Sequence, residues 1–257
     1  MAWFRHPYHF DKSSIKLAHI TDSHLFCDEM GTYFTVNTAD NFKRTLSYMA
    51  TCHLDAVIFG GDLTQDHSVE SYQLFAELVR VSELDCPVFW LPGNHDELTE
   101  LEQISLGQIH SNKHLRLNGA DIFLINSKGE TPAGWCEQQH LFELHQMLLC
   151  SSEQVLAFSH HHPVPINGYL DKHILENGPA LLNCLVNSNK AVRLVHGHVH
   201  NDYQSTYRTM HVMATPATSI QFTKGTSQWQ QQDRGPALRI INFGINGFDS
   251  EVIWLDE

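Results

Sequence analysis

The chain has 257 residues, with 16 lysines and arginines against 29 aspartates and glutamates, and a net charge of −13 when histidines are neutral. That length suits one domain, residues 1–257, with a sizeable core. The acidity argues against sequence-independent nucleic-acid binding, which depends on basic side chains, and no apolar run is long enough to span a bilayer.

In chain order, "IKLAHIT" (15–21) reads as a buried strand, and residues 40–52 as a helix. "LDAVIFG" (54–60) is a second strand. Residues 68–84 show helical spacing in Tyr72, Phe75, Leu78 and Val79, with Ser68 placed to cap the first turn. "PVFWL" (87–91) is a third strand, and "HLRLNGADIFLINS" a hairpin turning near Asn118-Gly119. A helix at 136–150 precedes the strand "QVLAFSH", and a weaker helix at 177–188 precedes "VRLVHG". Two hairpin-like pairs, 203–214 and 237–254, complete the chain. Strands alternate with helices and then dominate, which predicts an α/β sandwich with mixed sheets.

Six cysteines, Cys27, Cys52, Cys86, Cys136, Cys150 and Cys184, are scattered without a C-x-x-C pair, and the N-terminus "MAWFRHPYHFDKSS" does not read as a secretion signal. Free thiols in a cytoplasmic protein are the expectation.

The chain has 19 histidines, and eight of them crowd into four short motifs. The polar motifs follow predicted strands: "TDSHL" the first, "GDLTQD" the second, "GNHDE" the third, "HHHP" a later one and "GHVH" the last. Ligands in open α/β sheets bind beyond the carboxyl ends of strands, so five strand ends can deliver side chains to one place. Asp22 and His24, like His198 and His200, are spaced i, i+2, which in extended chain points both the same way. With Asp62, Asn94 and His95 they make a set of carboxylates, an amide oxygen and imidazoles. Such nitrogen and oxygen donors without thiolate suit Mn, Fe, Zn or a mixed pair better than Mg or Ca. Each motif alone is weak, since Gly, Asn and Asp are ordinary turn residues; the ordered set is what carries weight.

D-x-H, G-D, G-N-H-D, H-x-P and G-H-x-H, in that order over residues 22–200, resemble the calcineurin-like metallophosphoesterase superfamily. The resemblance implies a four-layer αββα sandwich of two mixed sheets and a centre of two divalent or trivalent ions, Fe or Mn, with Zn as an alternative. Asp22, His24, Asp62 and His200 would hold one ion, and Asp62, Asn94, His161 and His198 the other, with Asp62 as bridge. The family ligand lies two residues before the proline, which selects His161. Strand alternation agrees, by turning His160 and His162 the opposite way toward supporting, substrate-facing or purely structural roles; His196 reads as supporting. Asn94, His24 and above all His95 would meet the phosphate, with His95 the candidate general acid. Many relatives support that histidine with an aspartate three residues after the G-D aspartate. Here Gln65 stands there, and Asp66, one residue later, is the candidate orienter.

"ITDSHLF", "GDLTQD", "FWLPGNHD", "SHHHPVP" and "ATPATSIQF" look more narrowly like the bacterial class III cyclic nucleotide phosphodiesterases, the cyclic-AMP branch. This implies hydrolysis of 3′,5′-cyclic AMP to 5′-AMP by a metal-bound hydroxide, in a cytoplasmic monomer or homodimer. A broader phosphodiesterase acting on 2′,3′-cyclic nucleotides, glycerophosphodiesters or other diesters is the alternative. A non-catalytic scaffold on the same fold is disfavoured by the full ligand set and His95, and a DNA-repair nuclease by the acidic charge. The stretch 215–222 reads either as an ordinary loop or as a substrate-side element.

Overall fold

The computed structural model describes residues 2–232 and 234–255. In chain order its elements are β1 (Tyr8–His9), β2 (Ser14–Ile20), β3 (Thr32–Tyr33), β4 (Val36–Asn37), α1 (Thr38–Ala50), β5 (Ala56–Phe59), α2 (Val69–Val81), β6 (Val88–Trp90), α3 (Leu98–Gln103) and β7 (Ile109–His110). There follow β8 (His114–Leu117), β9 (Ala120–Leu124), α4 (Gln138–Leu149), β10 (Gln154–Ser159), a 3₁₀ turn (Tyr169–His173), α5 (Gly178–Val186) and β11 (Ala191–His196). The last are β12 (Gln204–Tyr207), β13 (Met210–Ala214), β14 (Gln221–Phe222), β15 (Gln231–Gln232), β16 (Ala237–Gly244) and β17 (Gly247–Trp254).

Two mixed sheets face each other. One has six strands in the order β17-β16-β2-β5-β6-β7, the other seven in the order β1-β8-β9-β10-β11-β13-β12. Strand periodicity explains how they stack. Neighbouring residues on a strand point to opposite faces, so β5, buried along its whole length, feeds two cores. Val57 and Phe59 pack with Phe42, Leu46, Phe75 and Leu78 of α1 and α2. Ala56 and Ile58 pack across the sandwich with Leu115, Ile122, Leu156 and Phe158 of the other sheet. Beyond that second sheet, Val155, Ala157, Val192 and Leu194 meet Leu144, Leu148, Leu181 and Leu185 of α4 and α5. Three apolar seams thus join four layers, helix–sheet–sheet–helix, as the resemblance implies.

Local chemistry sets the boundaries. Ser68 caps α2 by accepting from the Ser71 amide, the hydroxyl–amide bond that satisfies an otherwise orphaned first-turn donor. Asn37 caps α1 in the same way through the Asp40 amide. The β8–β9 turn falls at Asn118-Gly119, with Gly119 at φ 95°. The six-residue α3, the 3₁₀ turn and the two-residue strands were not expected. Elements this short present too few turns for a period to register. All six cysteines are free, and no helix among the described residues is long and apolar enough to cross a membrane.

Candidate metal centre

The site is built where strand ends coincide. Ile20, Phe59 and Trp90 are register partners across β2, β5 and β6, and Ser159 pairs with His196 across β10 and β11. The loops leaving these strands therefore start level with one another. Those after β2 and β5 run side by side: the Asp22, His24 and Leu25 amides donate to the Gly61, Asp62 and Leu63 carbonyls at 2.8, 3.1 and 2.7 Å. Gly93 lets the loop after β6 approach, since a Cβ there would lie 2.1 Å from Asp62 Oδ1.

Asp22, His24, Asp62, His198 and His200 are all buried. All five also hold left-handed backbone, with φ of 55°, 46°, 55°, 69° and 46°. A non-glycine residue there costs about 1–2 kcal/mol through the Cβ–carbonyl clash, and such strain concentrates at functional sites. The hydrogen bonds around them hold it in place. Asp22 Oδ2 accepts from Thr21 Oγ1 at 2.6 Å and from the His198 amide at 3.0 Å, while Asp62 Oδ1 accepts from the His95 amide at 2.9 Å.

The remaining atoms converge. Asp22 Oδ1 lies 3.3 Å from His200 Nε2 and 3.9 Å from His24 Nε2, and His24 Nε2 lies 3.9 Å from Asp62 Oδ2. Asp22, His24 and His200 form one cluster able to hold an ion; Asp22, Asp62 and His160 form another, His160, His161 and His198 a third, and His24, Asp62 and His95 a fourth. Asn94 joins through an Oδ1 that is buried without a partner, as are Asp22 Oδ1, His160 Nε2 and His161 Nε2. Buried polar atoms are nearly always hydrogen-bonded, so donor atoms left without a hydrogen bond in and beside these clusters fit cations held by nitrogen and oxygen donors.

His160 departs from expectation. β10 ends at Ser159, so the alternation that would turn His160 away from His161 does not extend to these residues. His160 Nδ1 faces the Gly60 carbonyl at 2.8 Å, and its Nε2 points at Asp62 Oδ2, 3.3 Å away. His161 Nδ1 is engaged by Ser127 Oγ at 2.8 Å. His162 Nε2 lies 3.4 Å from Asp171, and His196 Nδ1 bonds the Gly197 carbonyl at 2.9 Å.

Charge follows the same pattern. Burial pushes Asp62 up, but His160, His95 and His24 pull it well below the usual carboxylate range. Burial likewise opposes ionisation of Asp22, yet His200 and His160 bring it to about 2. Burial lowers His24 to about 3 and takes His161 and His198 well below their ordinary value. In His160 the pull of Asp62 outweighs burial and lifts the ring to about 9. A proton on His160 and a cation are thus competing ways to neutralise the two carboxylates.

His95 faces the cluster from the loop after β6, with its ring centroid 5.0 Å from that of His24 and a buried, unpartnered Nδ1. The expected orienter is not there. The Asp66 carboxylate accepts from the Cys27 amide at 2.7 Å and from Ser68 Oγ at 2.6 Å, tying down the start of α2. The residue that meets His95 is His67, stacked at 5.2 Å and 4°, with its Nδ1 2.9 Å from the His95 carbonyl. Asp96, the last residue of G-N-H-D, ties two loops together by accepting from the Leu63 and Gly93 amides at 2.8 and 2.9 Å. Burial, with Asp62 nearby, raises it to about 6.

The stretch 215–222 proves to be a brace. Ser219 Oγ donates to the Asp22 carbonyl at 2.6 Å, His200 Nδ1 bonds the Ile220 carbonyl at 2.7 Å, and Phe222 stacks on the His200 ring at 4.4 Å. Fixing Nδ1 this way leaves His200 Nε2 to face Asp22, the arrangement in which a second hydrogen bond orients a metal-binding imidazole.

The model of the calcineurin-like phosphoesterase family matches residues 15–202. A probable cyclic nucleotide phosphodiesterase from Pseudoalteromonas sp. (strain SM9913) is 54% identical over the whole of both chains. A 3′,5′-cyclic adenosine monophosphate phosphodiesterase from Vibrio vulnificus is 32% identical, covering 92% of this chain and 88% of its own. Among solved structures, a dimetal phosphatase from Danio rerio superposes with a TM-score of 0.63 at 15% identity, over 95% of this chain and 99% of that one. With that family's matched span running through every one of these strand-end loops, the chain belongs to the calcineurin-like phosphoesterases.

Proposed function

We propose that the protein hydrolyses 3′,5′-cyclic AMP to 5′-AMP at a centre of two metal ions. The observation that carries the reading is the convergence of orphaned oxygens and imidazole nitrogens on the two sides of Asp62. Asp22, His24, Asp62 and His200 would hold one ion; Asp62, Asn94, His160, His161 and His198 would hold the other. His160 is added to the expected set because its Nε2 is aimed at the shared carboxylate, and His161, whose Nε2 clusters with His198, stays in it. When bound, such a pair supplies water acidified to a pKa of about 7 and positive charge for the phosphoryl oxygens. Iron or manganese suits this donor set, with zinc as the alternative.

His95 stands on the open side of the pair, where the Asp62 carboxylate holds its backbone amide. As water adds to phosphorus, releasing a proton to solvent, and the P–O3′ bond breaks, the ring would deliver its own proton to the departing 3′ oxygen. Burial lowers the ring's affinity for that proton, and an anionic phosphodiester beside it favours the charged form again. The local positive charge draws an anion despite the acidic surface, because screening limits distant charges. Small-molecule diesters rather than nucleic acid are the substrates, and free cysteines suit a cytoplasmic setting.

The test is turnover by metal-reconstituted protein on a panel of 3′,5′-cyclic, 2′,3′-cyclic and acyclic phosphodiesters, with products identified. Cyclic AMP giving 5′-AMP is the expected result. A strong preference for glycerophosphodiesters would overturn the substrate and leave the metal centre standing.

A further inference from the structure

The cleft over the metal centre has a volume of about 340 Å³, and much of its wall is aromatic: Tyr33, Phe34, Tyr169, Phe222 and Trp229. Four of these close a circuit. His24 stacks on Tyr33 (4.9 Å), Tyr33 meets Phe34 (4.7 Å), and Phe34 meets Trp229 (4.4 Å). Trp229 meets Phe222 (6.3 Å), Phe222 stacks on His200 (4.4 Å), and His200 returns to His24 (5.0 Å). The circuit thus begins and ends on two imidazoles of one ion-binding cluster.

Its far side is the unusual part. Phe34 is 47% exposed and Trp229 38% exposed, although they touch each other. Lone apolar side chains on a surface need no explanation, but a contiguous pair at the rim of a polar cleft does. The backbone goes out of its way to put Phe34 there. Phe34 and Thr35 are the two turn residues between β3 and β4, at φ 45° and 74°. Such a turn favours Asn-Gly, and a bulky or β-branched residue in that region is an outlier. Trp229 arrives from a separate loop between β14 and β15. Two segments nearly 200 residues apart therefore each contribute one partly exposed ring to the same rim.

We infer that Phe34 and Trp229 form a stacking seat for the nucleobase, so that the rim reads the base while the metal centre holds the phosphate. This deepens the reading of the site as a nucleotide phosphodiesterase and rests on it for the phosphate end. A base presents a flat π-face to an aromatic side chain, and such stacking tolerates different bases. Ribose links the two ends, and the seat lies two aromatic contacts from His24 and from His200.

The test measures binding and needs no turnover. Metal-loaded protein is titrated with 5′-AMP and with ribose 5-phosphate, which has the same phosphate and sugar but no base. The wild type should bind 5′-AMP the more tightly, with tryptophan fluorescence quenched. Phe34→Ala with Trp229→Ala should weaken 5′-AMP at least about tenfold and shift ribose 5-phosphate less than about twofold. Trp229→Phe should restore 5′-AMP affinity while losing most of the quench. The inference is overturned if the double variant binds 5′-AMP like the wild type, if both ligands weaken equally, or if the wild type does not distinguish them. A wild type that favours 5′-AMP through these two rings yet hydrolyses no cyclic nucleotide would keep the seat and sink the proposed reaction.

Discussion

His95 and Asp62 touch through one backbone amide, but their loss should have different consequences. On the proposed reading His95→Ala removes the proton donor and none of the proposed ligands. Turnover should fall about 10²–10⁴-fold while elemental analysis still finds both metals; full activity on cyclic AMP would end the acid role. A second comparison separates the histidines after β10 from the residue that supports one of them. His160→Ala takes away a nitrogen aimed at Asp62 and should weaken metal binding more than about 100-fold. His161→Ala removes an imidazole that Ser127 orients through Nδ1 and whose Nε2 clusters with His198, and should weaken metal binding as well, whereas Ser127→Ala should cost no more than the 10–100-fold typical of a supporting partner. Competition against a chelator of known affinity checks all three, and a Ser127→Ala loss equal to that of either histidine would contradict these assignments.

At the scale of elements, the helix-side seam depends on aromatic packing. The Phe75 ring lies 5.0 Å from that of Phe42 on α1 and 4.8 Å from that of Phe59 on β5, and Phe75 is 1% exposed. Phe75→Ala should cost about 3–5 kcal/mol, seen as a lower urea midpoint at unchanged slope. The same periodicity that makes this seam also made it readable. β2, β5 and α2 were visible because apolar residues repeat every two or every three to four positions. The exact end of a strand is not encoded in that repeat. A strand running to His160 and one stopping at Ser159 have almost the same pattern but opposite consequences for which histidine meets Asp62. Likewise Asp22, Asp62, Asn94 and His200 were recognisable from ordered motifs, whereas Phe34, His67 and Trp229 belong to no pattern. Only the turn of β3–β4 and the loops after β5 and β14 bring them to the site.

For the molecule as a whole, stability should depend on pH and on metal. His140 accepts a hydrogen bond from the Asn126 amide at 3.1 Å and stacks on Phe4, and burial lowers its pKa from 6.5 to about 4. The unfolded chain therefore takes up a proton before the folded one does. The contribution is complete above pH 6.5 and is lost as pH falls toward 4. Between pH 7 and pH 5 that amounts to roughly 1–2 kcal/mol, and His140→Gln should show a correspondingly shallower loss in denaturant titrations. Divalent manganese, binding the folded state alone, should raise the melting temperature with concentration, and Asp62→Ala should abolish the rise. The left-handed conformations of Asp22, His24, Asp62, His198 and His200 also have an evolutionary consequence. Glycine would occupy the same backbone without the clash. In a descendant released from hydrolysis, glycine at Asp22 or Asp62 would relieve the backbone yet strand the buried donors those carboxylates now accept from, so the lineage would forget its chemistry only by loosening the loops that carried it.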